Sequence, residues 1–328
     1  MRILIAIALA ASFIAPAVAE PQVAVGFQHF TIPDPQGSPI EVGVWYPSDA
    51  APKAEAIESA QQIVARDGAV KGDHLPLVVI SHGHGGSYAG HFDTAIALAQ
   101  AGFVAAALSH NGDSWRDPSN PVAIWERPRQ LKALTDYMLN TWPDRARIDA
   151  ERIGAFGFSA GGFTVLAAAG AEPDLSAIKD HCAAHPEFEV CRIVAERPLP
   201  AIENIVWTHD IRIKAVVSAA PALGFAFGRK GLAAVTQPLQ LWRASDDQVL
   251  PHPYYAEAVR IALPTPPDTH VVPGAGHYDF LAPCSAALAK KVPAICLSAP
   301  GFDRAAFHQE FDRDVVAFFT RSLGEGHR

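Results

Sequence analysis

The sequence has no cluster of lysine and arginine, and no interior apolar run reaches the length needed to cross a membrane. Charged residues make up only 18% of the 328 residues, and the formal net charge is −8. This balance argues against a nucleic-acid partner. The sequence also shows no internal repeat and no linker that would divide it. With 49% hydrophobic residues, it is long enough to bury a sizeable core.

Cysteine is scarce, and the four cysteines fall into two local pairs. The simplest of the three possible connectivities joins Cys182 to Cys191 and Cys284 to Cys296. Disulfides of this kind are typical of exported proteins. Ligation of a metal by all four cysteines is the alternative, but neither spacing is the short C-x₂₋₄-C of a zinc site.

The first residues differ in character from the rest of the chain. One positive charge precedes a short apolar stretch, and the small-x-small site Ala17-Val18-Ala19 follows. This pattern predicts a secretory signal at residues 1–19 and a mature, secreted or periplasmic domain at residues 20–328. A retained anchor is the alternative. After cleavage we expect no membrane span.

From residue 75 onward, apolar runs of strand length alternate with stretches of helical spacing. We predict buried strands at 75–81, 103–108, 153–158, 213–218, 239–243 and 269–272. Strands that alternate with helices imply a mostly parallel central sheet of about eight strands, with helices on both faces. Two earlier strands, at 23–32 and 40–46, should form an antiparallel hairpin. Residues 47–74 should hold one short surface helix.

Residues 171–210 interrupt this alternation and carry the first cysteine pair and several prolines. A shorter segment, residues 222–237, does the same. Because both follow elements near one end of the sheet, they are candidates to cover a pocket there. Plain surface insertion is the alternative.

The segment Gly157-Phe158-Ser159-Ala160-Gly161 joins an apolar strand to a helix. Gly-x-Ser-x-Gly between a strand and a helix is the pattern of a nucleophile elbow, which exposes the serine hydroxyl above a sheet. The alternative is a glycine-rich turn without chemistry. We predict Ser159 as a catalytic nucleophile.

A serine nucleophile needs a base and an acid that orients the base. In elbow folds these follow the serine in the order acid, then histidine. Asp246 and Asp247 follow the strand at 239–243, and His277 follows the strand at 269–272. We predict His277 as the base. We prefer Asp247 to Asp246 as the acid because it lies one residue deeper in the turn.

The oxyanion hole should use the backbone amide of Ala160 and an amide from the glycine-rich loop after the strand at 75–81. We predict the amide of His84 for the second position. A His-x-His metal site made by His82 and His84 is the alternative, but no third ligand is apparent, so we predict no metal. In the next loop, we expect His110 and Trp115 to line the pocket or only to close the turn.

Five motifs follow one another along the chain in an order that is typical of one family. They are Val44-Trp45-Tyr46-Pro47, Ser81-His82-Gly83-His84-Gly85-Gly86, Arg127-Pro128, Gly157-Phe158-Ser159-Ala160-Gly161-Gly162, and Gly276-His277 with Phe280 and Cys284. The chain thereby resembles the platelet-activating-factor acetylhydrolase-like, or predicted dienelactone hydrolase-like, group of secreted α/β-hydrolases. The resemblance implies an α/β-hydrolase fold and hydrolysis of carboxylic esters without a cofactor. Dienelactone hydrolases have a cysteine nucleophile where this chain has Ser159, so lactone specificity is not implied.

The sequence therefore predicts a serine hydrolase of small-molecule esters that acts through Ser159, Asp247 and His277. Two other classes stay open. An amidase or peptidase would use the same three residues, and a non-catalytic binding protein would use none of them.

Overall fold

The computed structural model describes residues 23–200 and 205–324. The predicted signal segment lies outside these ranges. Within them, no helix combines the length and the apolar character that a membrane crossing requires.

Ten strands of the described ranges form one sheet in the order β10-β9-β8-β7-β5-β6-β2-β1-β4-β3. The six strands from β10 to β6 in this order are mutually parallel, as the alternating sequence pattern predicts. In chain order the strands are β1 (Ala24–Ile32), β2 (Ile40–Ser48), β3 (Lys53–Ile57), β4 (Ala60–Arg66), β5 (Leu75–Ser81), β6 (Val104–Leu108), β7 (Ile148–Phe158), β8 (Ile213–Ala219), β9 (Leu239–Ala244) and β10 (Asp268–Val272).

Helices cover both faces of this sheet. They are α1 (Phe92–Gln100), α2 (Glu126–Asn140), α3 (Ala160–Ala168), α4 (Ala177–Ala184), α5 (Glu189–Glu196), α6 (Ala256–Ala262), α7 (Ala286–Lys291) and α8 (Arg304–Ser322). Helices α1 and α8 contribute Leu98 and Phe311 to the core on one face. Helices α2, α3 and α6 contribute Leu134, Phe163 and Val259 to the core on the other.

The amino-terminal part of the sheet differs from the sequence prediction in one respect. The hairpin β1–β2 forms as expected, but residues 47–74 contain a second hairpin, β3–β4, instead of a helix. In β4, burial alternates over the first residues, and the buried Gln62 accepts a hydrogen bond from Trp45. This two-residue periodicity is that of a strand with one covered face. The sheet consequently has ten strands instead of about eight.

The parallel strands bring the candidate site residues to a single edge. The loops after β5, β6, β7, β9 and β10 all leave the carboxyl ends of adjacent parallel strands, where ligands bind in open α/β sheets. The residues predicted for catalysis follow β5, β7, β9 and β10.

Both cysteine pairs form disulfides in the structure. Cys182 and Cys191 connect α4 to α5 within the insert at residues 171–210. Cys284 and Cys296 close the segment that follows His277 and contains α7. Each bond therefore fixes a local loop near the functional edge.

Candidate active site

Ser159 occupies the turn between β7 and α3 in a strained backbone conformation. Its φ is 56° and its ψ is −119°, a region that residues with a Cβ rarely adopt. The turn is held because the Ser159 amide donates to Ala219 and its carbonyl accepts from Ala222, at 2.9 and 3.0 Å. This is the geometry of a nucleophile elbow.

The two glycines of the motif allow strand and helix to approach each other. A Cβ at Gly157 would collide with the carbonyl oxygen of Gly161. A Cβ at Gly161 would collide with the carbonyl oxygen of Ser81. The backbone contact between β5, β7 and α3 therefore requires glycine at both positions.

Ser159, His277 and Asp247 form a hydrogen-bonded chain. His277 Nε2 lies 3.0 Å from Ser159 Oγ, and His277 Nδ1 lies 2.8 Å from Asp247 Oδ2. The carboxylate can only accept, so Nδ1–H donates to it and Nε2 is left to accept the serine proton. All three residues are buried, and the chain links loops that are far apart in the sequence.

The structure separates the two adjacent aspartates. The Asp247 carboxylate points inward and accepts from the amides of Val249 and Leu250, at 2.9 and 2.7 Å. Asp246 is exposed, and its carboxylate accepts from the Ser245 hydroxyl. Only Asp247 is oriented by the turn toward the histidine.

Two other histidines and one other aspartate of the carboxyl-terminal part take no part in this chain of hydrogen bonds. His270 stacks on Trp242, with ring centroids 4.0 Å apart, and His308 lies on α8. The Asp279 carboxylate accepts from the amide of Gly276 at 2.8 Å and from Arg304 Nε at 3.0 Å. Asp279 therefore holds the histidine loop and takes no part in the hydrogen-bonded chain of Ser159, His277 and Asp247.

His84, Ser159 and Ala160 line one cleft at the edge of the sheet. Ala160 is the first residue of α3, and first-turn amides have no acceptor within their own helix. Its amide lies at the positive end of the helix dipole. The two residues predicted for the oxyanion hole thus lie on the same cleft as the serine.

A buried ion pair supports the His84 loop. Arg127 Nη1 donates to Asp113 Oδ2 at 2.5 Å, Nη2 donates to the carbonyl of His82, and Nε donates to Thr164 at 3.1 Å. The second oxygen of Asp113 contacts His84 Nδ1 at 2.5 Å. One guanidinium therefore connects α2, α3 and the loops after β5 and β6.

The same pair shapes the electrostatics of the cleft. Burial acts to raise the pKa of Asp113, but the charges of Arg127 and His84 outweigh it and hold the pKa below the ordinary value. The hydrogen bond to Asp113 raises the pKa of His84 against the effect of burial. This favours a positively charged His84 beside Ser159.

His82 braces the loop instead of binding a metal. Burial lowers its pKa to about 3, so the ring is neutral. Its Nδ1 donates to the carbonyl of Gly83 at 2.6 Å, and its Nε2 accepts from the amide of His110 at 2.9 Å. Both ring nitrogens are therefore used by the backbone.

Of the two roles expected for His110 and Trp115, the structure does not support lining of the pocket, since neither is among the residues that line the cleft. His110 is completely buried, and its ring bonds to Ser81 and Gln130. Trp115 is 56% exposed and carries the guanidinium of Arg116 over its ring. Neither side chain lines the cleft. The loop after β6 contributes Asp113, Pro121, Val122 and Ile124 to the lining instead.

The insert forms one wall of the cleft. Ile178 of α4 and Val190, Ile193 and Val194 of α5 line it. Glu189, at the start of α5, adds a carboxylate. The enclosed part of the cleft measures about 100 Å³, and further space there is open to solvent.

Asp113, Arg127 and Glu189 were missed as site residues by the sequence argument. Arg127 lies in the charged segment Glu126-Arg127-Pro128-Arg129, which has the composition of a solvated helix end. The one available signal was its place in the recurring motif Arg127-Pro128. Nothing local distinguishes Glu189 from the other charged residues of the insert.

Comparisons with known proteins agree with this architecture. A model of the prolyl oligopeptidase family matches residues 79–178, a segment that contains Ser159 but neither Asp247 nor His277. The structure of a ferulic acid esterase from Streptomyces cinnamoneus is similar over 94% of this chain and 92% of its own, with a TM-score of 0.63. The fold is that of an α/β-hydrolase.

The sequence identity between the two chains is 19%, so this likeness concerns the fold. No curated protein matches the chain at a significant level. The narrower resemblance to the acetylhydrolase-like or dienelactone hydrolase-like group stays a prediction.

The assignment of the acid is testable by exchanging each aspartate for asparagine. We expect Asp247→Asn to lower kcat for p-nitrophenyl acetate by roughly 10³ to 10⁴-fold, because the orienting carboxylate is lost. Asp246→Asn is the matched control and should change kcat less than about threefold. Equal losses in the two variants would contradict the assignment.

Proposed function

We propose that this protein is a serine hydrolase that cleaves carboxylic esters through an acyl-enzyme, without a cofactor. The observation that carries the proposal is the hydrogen-bonded chain from Asp247 through His277 to Ser159, which opens on an apolar cleft. A serine hydroxyl becomes a nucleophile when a base can take its proton. The positions of His277 and Asp247 support their assignment as that base and as the carboxylate that orients it.

In the proposed reaction, Ser159 Oγ attacks the carbonyl carbon of the ester and His277 Nε2 takes the hydroxyl proton. The amides of Ala160 and His84 stabilise the negative charge on the carbonyl oxygen. His277 then gives the proton to the departing alkoxide, which leaves as an alcohol. A water molecule, activated by the same histidine, hydrolyses the acyl-enzyme to the acid and restores Ser159.

The walls of the cleft support an ester substrate with an apolar acyl group. Most of the lining side chains are aliphatic, and Asp113 and Glu189 are the two carboxylates among them. The similar fold of a ferulic acid esterase agrees with this reading. The partial match to the prolyl oligopeptidase family favours the second candidate, a peptidase or amidase that uses the same three residues.

Two measurements separate these candidates. We expect a fluorophosphonate probe to label the wild-type protein and not Ser159→Ala, because the probe reacts with an activated serine. We expect kcat/KM for short p-nitrophenyl esters to exceed that for matched p-nitroanilides by at least about 100-fold. The Asp246→Asn variant, outside the hydrogen-bonded chain, is the labelling control.

Comparable rates on esters and anilides would replace the esterase proposal by the amidase one. Absence of labelling in the wild-type protein would exclude Ser159 as a catalytic nucleophile and would favour a non-catalytic binding protein.

We further propose that the insert at residues 171–210 covers the acyl site. Helix α5 supplies three aliphatic side chains to the cleft and is tied to α4 by a disulfide. Helix α4 is in turn attached to the body, since His181 stacks on Phe225 with ring centroids 3.7 Å apart. The wall is thereby held in place from two sides.

A bulky substitution tests this role of the insert. We expect Ile193→Trp to reduce kcat/KM for p-nitrophenyl octanoate at least about tenfold more than for the acetate, because the indole occupies the space of a long acyl chain. Ala195→Trp adds the same bulk on the exposed side of α5 and should leave the ratio unchanged. If both chain lengths respond alike to Ile193→Trp, the insert does not bound the acyl site.

The composition of the first residues and the two disulfides support a secreted or periplasmic location. We propose export with cleavage after Ala19. Amino-terminal sequencing of protein recovered from a bacterial periplasm should begin at Glu20. Protein that is retained in the cytoplasm with four titratable thiols would contradict the proposal.

A further inference from the structure

A second group of ligand-type side chains lies at the contact between α1 and α8, separate from the hydrogen-bonded chain of Ser159. Asp93 belongs to α1, and His308 and Asp312 are one turn apart on α8. One side-chain atom from each of the three lies within 4.8 Å of the other two. His308 is only 3% exposed.

The ring of His308 is oriented by the backbone. Its Nε2 lies 2.8 Å from the carbonyl oxygen of Asp279. Because a carbonyl can only accept, Nε2 carries the hydrogen, and in the neutral ring Nδ1 presents a lone pair. Histidines that bind metals almost always donate their other ring N–H in this way.

His308 Nδ1 faces a carboxylate oxygen. It lies 2.7 Å from Asp93 Oδ2, and within the described ranges neither of these two buried atoms forms a hydrogen bond with another residue. The contact needs a positive charge, which either a proton on Nδ1 or a metal ion beside both atoms supplies.

Thr94 donates a hydrogen bond to one oxygen of each carboxylate, Asp93 and Asp312. The Thr94 amide donates to Asp93 Oδ1 at 3.0 Å, and the Thr94 hydroxyl donates to Asp312 Oδ1 at 2.6 Å. Such outer contacts fix the orientation of first-coordination ligands in metal sites. Each of the three side chains is thus held by a second bond while one atom points to the shared space.

The charge of the group also requires compensation. Two carboxylates and a neutral imidazole carry a charge of −2, which a divalent cation neutralises. Asp93 and Asp312 are only partly buried, so an ion and its water ligands can enter from solvent.

We propose that Asp93, His308 and Asp312 bind a divalent cation of the zinc class and fasten α1 to α8 behind the loop that carries His277. One imidazole and two carboxylates suit zinc, whose N and O ligands lie about 2.0–2.2 Å from the ion. Calcium and magnesium prefer oxygen ligands alone. Through the bond from His308 to Asp279, the ion supports a loop residue two positions after His277.

The test uses the full chain, stripped with EDTA and dialysed into chelator-free buffer. After addition of zinc and desalting, we expect about one zinc per chain by elemental analysis. At a hundredfold excess of zinc over its Kd, we expect Tm to rise by roughly 5 °C. Neither readout depends on catalytic activity.

Two variants on the same helix make the test specific. Asp312→Asn should lose the bound zinc and the Tm rise, whereas Asp314→Asn, which pairs with Arg313 at the surface, should keep both. In EDTA, Asp312→Asn should melt no lower than the wild type, because asparagine still accepts from Thr94 and removes one of two neighbouring carboxylates. Should Asp312→Asn not fold, Asp93→Asn takes its place.

Less than about 0.1 zinc per chain, or equal zinc binding by Asp312→Asn and the wild type, would overturn the proposal. Stabilisation by calcium or magnesium but not by zinc would also overturn it, since that result would assign the group to a hard oxygen-binding cation.

Discussion

The edge of the sheet that carries Ser159 and the His84 loop depends on the buried ion pair between Arg127 and Asp113. Arg127 is 1% exposed and bonds to groups of three other segments: Asp113, His82 and Thr164. Removing one partner of such a pair typically costs 3–5 kcal/mol, because the other charge stays buried and unpaired. The pair thus ties the position of the His84 loop to α2, to α3 and to the loop after β6.

The elbow and this ion pair constrain the same loop from opposite sides. At the elbow, Gly161 packs against the backbone at Ser81, the residue before His82. At the ion pair, Arg127 holds the carbonyl of His82 itself. Since both contacts fall within two consecutive residues, they constrain the position of the loop that carries His84 relative to Ser159.

Much of the fold and of the hydrogen-bonded chain followed from the sequence, because parallel strands are continuous apolar runs and the elbow is a local motif. Ser159, Asp247 and His277 could be found as residues that end such runs. The β3–β4 hairpin was missed because its strands are short and polar on one face. Asp113, Arg127 and Glu189 were missed because their roles come from contacts between segments far apart in the chain, which local patterns do not encode.

The two disulfides join residues only 9 and 12 positions apart. Any other pairing of the four cysteines would close loops roughly ten times longer, which in an unfolded chain is less favourable by about 2 kcal/mol of loop entropy. In an unfolded chain, loop entropy alone therefore favours the native pairing. The native pairing therefore does not depend on contacts of the folded sheet. Because both disulfides are local, they do not connect distant parts of the sheet.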